Sequence, residues 1–256
     1  MKTKNFIINT SFTELYSKPN SKKDLETECI YGQSFYLSDI SNNWVYGTIN
    51  SDNYRGWIKK KYLSDLFYNS HKIVTILSIV KLKPNIRSKT LGLLPYGARI
   101  KVTEHERDWA KFIFLHNGIK QDAYIPEKHI ATLKYKIEDY TSVTEKFIGT
   151  PYKWGGKTAL GIDCSGLLQI CLQDHKRNIP RNSKDQEIIF NGKDCDKANL
   201  KRGDLVFWEG HVGIMQNEKY LIHANSFHMR VISEKLDDVI DRIRTNYKLE
   251  PRMYKL

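Results

Sequence analysis

The sequence predicts an α+β protein in three parts: two small antiparallel β-barrels and a mixed domain of helices with a short sheet. Three observations carry this. Before residue 139 the chain holds short β-like runs broken by turns, with little helical periodicity. Those runs fall into two similar units. After residue 139, apolar residues recur at helical spacing and strand-turn-strand patterns follow. A chain of 256 residues has room for one large or two to three small domains.

The first unit, residues 1–66, carries Tyr31-Gly32-Gln33-Ser34-Phe35, then Trp44-Val45, then Tyr54-Arg55-Gly56-Trp57-Ile58. The second, residues 72–134, carries Pro95-Tyr96-Gly97-Ala98-Arg99-Ile100, then Asp108-Trp109-Ala110, then Ala123-Tyr124-Ile125-Pro126. Turns fall at the spacing of a small antiparallel barrel. Asp65 to Lys72, with Asn69 and Ser70, reads as the linker between them. Lys134 to Asp139 leads into the third part, residues 139–256, where Ser142 and Glu145 read as the capping box of its first helix. Ser183 and Gln186 read as a second.

Cys164 lies in Gly161-Ile162-Asp163-Cys164-Ser165-Gly166, and Leu167, Leu168, Cys171 and Leu172 follow at helical spacing. The thiol is therefore expected at the first turn of a helix. The partial positive charge and free N–H groups of a helix start lower a cysteine's pKa and favour the nucleophilic thiolate. The competing reading is a small buried hydrophobe. A nucleophile needs a base, and the base needs an orienting partner. Leu205-Val206-Phe207-Trp208 reads as a buried strand, followed by a Glu209-Gly210 turn and the runs His211–Met215 and Tyr220–Ala224. A hairpin centred on Asn217 would set His211 directly opposite His223, with Cβ atoms about 5 Å apart. The alternative for each is a half-exposed strand histidine.

Asp163-Cys164-Ser165-Gly166, Gly203-Asp204-Leu205, His211-Val212-Gly213-Ile214 and Ile222-His223-Ala224 together resemble the NlpC/P60 family of cell-wall cysteine peptidases. Gly149-Thr150-Pro151-Tyr152-Lys153-Trp154-Gly155-Gly156 and Pro180-Arg181-Asn182-Ser183 extend the match. The resemblance implies a papain-like α+β fold over residues 139–256. It makes Cys164 the nucleophile, His211 the general base and His223 the orienting member. Tyr152 is either a helper of the Cys164 N–H in binding the oxyanion or a packed aromatic beside a turn. The order Tyr-Gly, Trp, Gly-Trp-Ile in the first unit resembles bacterial SH3 domains; the second unit departs from it at Ala123-Tyr124-Ile125.

Two such barrels before this peptidase resemble the γ-D-glutamyl-L-diamino acid endopeptidases of dipeptidyl-peptidase VI type. The implied substrate is a murein tri- or tetrapeptide with a free N-terminal L-Ala, and the released product is L-Ala-γ-D-Glu. The resemblance gives Asp163 the charge that meets the substrate ammonium, Tyr54 a wall of the pocket, and Ser165 and Ser183 substrate contacts. Helix capping competes for Asp163 and Ser183, and barrel packing for Tyr54. Gln33 stands where such enzymes often have Glu, which replaces a charged acceptor of the ammonium by a neutral one. No metal or cofactor is implied. Diaminopimelate and lysine both stay open at the third position, as does hydrolysis of intact peptidoglycan with the barrels as wall-binding modules.

The net charge is +12, and the pI is about 9.3, a balance that suits nucleic acid or an anionic surface. Lys59-Lys60-Lys61 and Lys81-Leu82-Lys83 could serve, but the basic residues are scattered, mostly Lys, and carry no nucleic-acid fold signature. A solvated surface without nucleic-acid binding is the expectation. Cys29, Cys171 and Cys195 show neither a disulfide framework nor metal-ligand spacing, which fits a reducing compartment. The N-terminal apolar run is only Phe6-Ile7-Ile8, too short for a signal-peptide core, and no window approaches a membrane span. The sequence thus predicts a cytoplasmic monomer that does not engage membranes.

Overall fold

The computed structural model describes residues 4–19, 24–65, 67–116, 118–173, 179–190 and 192–256. Met1, Lys2 and Thr3 of the N-terminal stretch, and Leu66 at the end of the first unit, lie outside the described residues. The chain forms two compact units, Met1–Tyr135 and Lys136–Leu256.

In the first unit, strands β1 (Lys4–Ile8), β2 (Phe12–Tyr16), β3 (Leu25–Ile30), β4 (Ser34–Ser41), β5 (Trp44–Ile49), β6 (Arg55–Lys59) and β7 (Leu63–Asp65) form one antiparallel sheet, ordered β3-β2-β6-β5-β4-β1-β7. Period-two alternation turns Ile8, Leu15, Cys29, Phe35, Val45, Ile49 and Ile58 into a common core. Cys29 is thereby a packing residue. The chain continues through β8 (His71–Ile73), β9 (Leu77–Lys81), β10 (Thr90–Pro95), β11 (Arg99–Ile100), β12 (Val102–Glu106), β13 (Trp109–His116), β14 (Ile119–Pro126) and β15 (Ile130–Thr132). These make two sheets, β10-β9-β14-β13-β12 and β11-β8-β15, around Ile73, Val80, Leu94, Ile100, Phe112, Phe114 and Ile125.

The internal repeat read from the sequence extends to hydrogen bonds. Gly32 (φ +76°) donates to the Ile8 carbonyl at 2.9 Å, and Gly97 (φ +78°) donates to the Ile73 carbonyl at 2.9 Å. Both turns use the left-handed backbone that glycine adopts freely. A 3₁₀ turn at Lys60–Tyr62 precedes β7, which pairs Leu63 with Ile8; a 3₁₀ turn at Glu127–His129 precedes β15, which pairs Ile130 with Ile73. The two halves also share a core. Tyr31 packs on Phe114 with ring centroids 5.5 Å apart, and its hydroxyl accepts from the Leu115 N–H at 2.9 Å. The linker is shorter than Asp65 to Lys72, because Asp65 ends β7 and His71 opens β8.

The second unit holds, in order, α1 (Tyr140–Lys146), the small hairpin β16 (Lys157–Thr158) and β17 (Gly161–Ile162), α2 (Cys164–Leu172) and α3 (Ser183–Phe190). Then come β18 (Leu205–Trp208), β19 (His211–Met215), β20 (Tyr220–Asn225), β21 (Arg230–Lys235), α4 (Leu236–Tyr247) and β22 (Arg252–Tyr254). The antiparallel sheet runs β21-β20-β19-β18-β22. Helix α2 packs against β19, β20 and α1, and all nine of its residues are buried. Helix α4 covers a sheet face through Val206, Trp208, Met215 and Leu221, which meet Leu236, Val239 and Ile240.

Neither predicted capping box forms. Asp139 caps α1, accepting from the Thr141 N–H at 3.1 Å, while Ser142 is already helical and donates to the Asp139 carbonyl at 2.6 Å. Glu145 instead accepts from Arg202 at 2.8 and 3.0 Å. At α3, Gln186 sends its side chain to the Ser165 and Pro180 carbonyls, at 2.9 and 2.8 Å, rather than back to the helix start.

Candidate active site

Asp163 caps α2 from an extended backbone conformation, and its Oδ1 accepts from the Gly166 N–H at 2.7 Å. This sets Cys164 at the first helical position, 8% exposed. The backbone N–H groups of Val212 and Ser165 are near enough to favour its thiolate form. The thiol's pKa nevertheless moves opposite to the sequence expectation. Burial, followed by the neighbouring Asp163 charge, pushes it up to about 12, against the pull of those N–H groups and of Arg181. A helix start favours thiolate, but desolvation wins here.

The two histidines meet, though not by the predicted pairing. Ile214 pairs with Ile222 and Met215 with Leu221, a register that sets His211 diagonal to His223 rather than opposite it. A shift of two residues preserves the face, and the rings still touch, with His211 Nε2 2.8 Å from His223 Nδ1. The cause is the turn. Asn217 Oδ1 accepts from the N–H groups of Lys219 and Tyr220, at 2.9 and 3.0 Å, which moves the hairpin centre one residue along.

Behind the histidines stands a carboxylate. Glu234, on β21 opposite Leu221, places Oε1 2.7 Å from His223 Nε2. Arg242 of α4 donates to both Glu234 oxygens, at 2.7 and 2.8 Å, and His228 Nε2 lies 3.1 Å from Oε2. Burial alone would raise Glu234, but the bonds from His223 and Arg242 outweigh it and hold the carboxyl well below its usual range. An ionised Glu234 requires the proton of neutral His223 to sit on Nε2. The amide of Asn225 also lies 2.9 Å from that nitrogen, but a full carboxylate charge outweighs a neutral amide. His223 Nδ1 is then a lone pair, so His211 must donate from Nε2. The free lone pair of His211 is therefore Nδ1. Burial first, then the nearby His223 and Arg242, push His211 down to about 3. Near neutral pH the pair rests as thiol and neutral imidazole.

Cys164, His211, His223 and Tyr152 line one cleft of about 290 Å³. Burial, then Cys164 and Asp163, raise the Tyr152 phenol above its usual range, so it stays a hydrogen-bond donor. Asp163 and Ser165 belong to a separate buried cluster. Asp163 accepts from the Gly155 N–H at 2.8 Å, the Ser165 hydroxyl at 3.2 Å and Arg181 at 2.6 Å, in addition to Gly166. Arg181 also donates to Ser165 Oγ at 2.7 Å. Ser183 opens α3 and is half-buried. Tyr54 and Gln33 sit in the first unit. The Tyr54 hydroxyl donates to Glu26 at 2.6 Å, and Gln33 Oε1 accepts from the Ile30 N–H at 2.8 Å.

Sequence reasoning missed Glu234, Arg242 and the Arg181–Asp163 ion pair. Arg181 stood within a family motif without a partner assigned. Glu234 was reachable by treating residues 230–235 as a third strand beside His223. Among the described residues, no group of three or more His, Cys, Asp or Glu is arranged to hold a metal, and no helix is long and apolar enough to cross a membrane.

Residues 149–248 match the family model of the NlpC/P60 family, and residues 15–63 match that of the bacterial dipeptidyl-peptidase SH3 domain. Dipeptidyl-peptidase 6 of Lysinibacillus sphaericus is 26% identical, over 91% of this chain and 92% of its own. A γ-D-glutamyl-L-lysine dipeptidyl-peptidase of Bacillus cereus is 27% identical, over 80% of this chain and 67% of its own. The crystal structure of an NlpC/P60 family protein from Bacillus cereus superposes with a TM-score of 0.80, covering 98% of this chain and 99% of that one; at 19% identity the likeness is one of fold. With its SH3 domain ahead of a cysteine-histidine cleft, the chain carries an NlpC/P60 cysteine-peptidase domain over residues 149–248.

Proposed function

We propose that the chain is an endopeptidase that cleaves the γ-D-glutamyl–diamino acid bond of murein tri- or tetrapeptides bearing a free N-terminal L-Ala. The observation that carries this reading is the cleft that Cys164 and His211 both line, with His211 hydrogen-bonded to His223 and His223 to Glu234. The names of the relatives supply the substrate class. His211 Nδ1 takes the Sγ proton as sulfur attacks the γ-glutamyl carbonyl carbon. Because both groups rest neutral, proton transfer accompanies C–S bond formation. The oxyanion is held by the Cys164 N–H and the Tyr152 hydroxyl. Collapse expels the diamino acid amine with the proton from His211, and water then attacks the thioester with His211 again as base, releasing L-Ala-γ-D-Glu.

At the other end of the substrate, Asp163 receives the L-Ala ammonium. The four donors around it fill the roughly four lone-pair positions of a carboxylate, so the ammonium displaces the longest of them, the Ser165 hydroxyl. Ser183 is a further substrate contact on the strength of the family resemblance. The repeated turn and strand pairing favour a second SH3-like barrel at residues 72–134, after a first at 1–66 and before the peptidase domain at 139–256. Four free cysteines suit a cytoplasmic, recycling role on peptides already released from the wall.

The test is mass spectrometry of products from L-Ala-γ-D-Glu-diaminopimelate, its lysine counterpart and their N-acetylated forms. Capping the amine removes a charged hydrogen bond worth about 1.5–3 kcal/mol, a loss of roughly ten- to a hundredfold in kcat/KM. Equal cleavage of free and capped peptides, or release of fragments from intact sacculi, would favour hydrolysis of intact wall instead.

A further inference from the structure

The cleft that holds Cys164 does not extend toward the Asp163 cluster; it continues past His211 toward α4. Its rim carries three aromatic side chains largely open to solvent: Trp154 at 69%, Phe227 at 66% and Tyr247 at 68% exposure. Isolated exposed aromatics are ordinary, but three around one concavity make an apolar patch that a ligand would cover. At the same rim lies Glu209, in the turn directly before His211 and exposed. Its carboxylate has no hydrogen-bond or ion-pair partner among the described residues. The other charged group of the cleft, Arg242, is already committed to Glu234 through two hydrogen bonds, and its guanidinium lies 4.6 Å over the Phe227 ring. The cleft therefore offers a free negative charge, aromatic walls and no free positive charge.

Which part of a substrate enters it is set by the reaction. The amine that leaves takes its proton from His211, so the residue bearing that amine must lie on the His211 side of Cys164. We propose that this cleft is the leaving-group subsite and that Glu209 selects a residue whose unbranched aliphatic side chain ends in an ammonium group. The methylenes lie along the aromatic walls, and the ammonium reaches Glu209 with a contribution from the ring faces. The subsite then favours a lysine-type third residue over a diaminopimelate type, whose additional carboxylate would meet Glu209 at like charge. The inference rests on the endopeptidase reading above and adds the feature that reads the third residue.

The test compares kcat/KM for L-Ala-γ-D-Glu-L-Lys and L-Ala-γ-D-Glu-diaminopimelate in the wild type, Glu209→Gln and Glu209→Arg. The exposed turn carrying Glu209 tolerates both changes. The wild type should favour the lysine peptide on the order of tenfold. Glu209→Gln should bring the two within about threefold, and Glu209→Arg should reverse the preference. A second measurement keeps the subsite separate from hydrolysis: titration of Cys164→Ala with the leaving dipeptide L-Lys-D-Ala, followed by NMR. Binding there should weaken several-fold when Glu209→Gln is added. Cleavage of both peptides with a ratio that Glu209 variants do not change would overturn the inference and leave the endopeptidase reading intact. Dipeptide binding that depends on Glu209, in a protein that cleaves neither peptide, would support the subsite and overturn the endopeptidase reading. A wild-type preference for diaminopimelate would also overturn the inference.

Discussion

Replacing Glu234 by Gln removes one charge and changes almost no volume, and the hydrogen-bond chain dictates the consequence. The Gln amide can donate to His223 Nε2, which moves the His223 proton to Nδ1. That nitrogen, 2.8 Å from His211 Nε2, then donates, and the His211 proton must move to Nδ1, the position that has to be a lone pair for the Cys164 proton. A wrong tautomer of this kind costs about 10²- to 10⁴-fold in kcat, with KM little changed. Stability falls as well. With side chains only 13% and 18% exposed, the Glu234–Arg242 pair is largely buried, and removing one partner costs about 2–4 kcal/mol. The sign with pH is fixed by the depressed Glu234 pKa. Its stabilisation is present above the unfolded carboxyl value of 4.5 and is lost as pH falls through the folded value. The stability gap between wild type and Glu234→Gln should therefore be constant above about pH 5 and narrow in stronger acid. Urea unfolding across pH, steady-state kinetics and ¹⁵N NMR of the imidazole tautomers measure each part. Glu234→Asp, which keeps the charge, should retain more activity than Glu234→Gln. A Gln variant within threefold of wild type in kcat, with His211 unchanged in tautomer, would refute the relay.

Cys164→Ala should abolish turnover while leaving the fold intact. Because burial pushes the thiol up to about 12, iodoacetamide alkylation of Cys164 should climb steadily from pH 7 to pH 9; a rate already level by pH 6 would reveal a preformed thiolate–imidazolium pair. His211→Ala should approach the damage of Cys164→Ala, and His223→Ala should cost less, since water can partly take over orientation; the reverse order of kcat values would exchange the two roles. Arg181→Ala leaves the Asp163 carboxylate buried without its ion-pair partner and should lower stability by about 3–5 kcal/mol in urea titration, whereas a shift below about 1 kcal/mol would show that the Gly155, Gly166 and Ser165 contacts suffice.

What could be read from the sequence was local or periodic. The turn before Cys164, the start of α2 at that residue and the shared face of His211 and His223 all depend on nearest neighbours and alternation, and these survive folding. The hairpin register did not, because the Asn217 side chain bonds inside its own turn and moves the centre by one residue. The capping box at Ser142 failed for a related reason. The Ser-x-x-Glu pattern at Ser142 also fits a helix interior, where a hydroxyl bonds back to the carbonyl three residues earlier, and Asp139 was the earlier and better cap. Glu234 and Arg242 escaped notice because their meaning depends on β21 lying beside β20 and α4 returning over it. The direction of the Cys164 pKa was equally out of reach. A helix start is visible in sequence, but the depth of burial that overrides it is not.

The distribution of charge explains why this site can be buried at all. Two ion pairs flank Cys164, Asp163 with Arg181 at 2.6 Å and Glu234 with Arg242 at 2.7 Å, and each neutralises itself in place. Between them Cys164 and His211 rest uncharged, so folding does not have to desolvate a thiolate and an imidazolium. The price is that charge must be created during the reaction. The fold answers with groups already in place to favour it: the Val212 and Ser165 N–H groups near sulfur, and on the other side the ionised Glu234, whose charge reaches a developing imidazolium on His211 through His223. These dipoles are oriented before substrate arrives and need no rearrangement as charge develops. The neutral resting pair and the distant fixed carboxylate are therefore two parts of one arrangement. Removing Glu234 should slow the chemical step without disturbing the resting thiol, while a change that wets the cleft should lower the Cys164 pKa and weaken the effect of Glu234 on the rate.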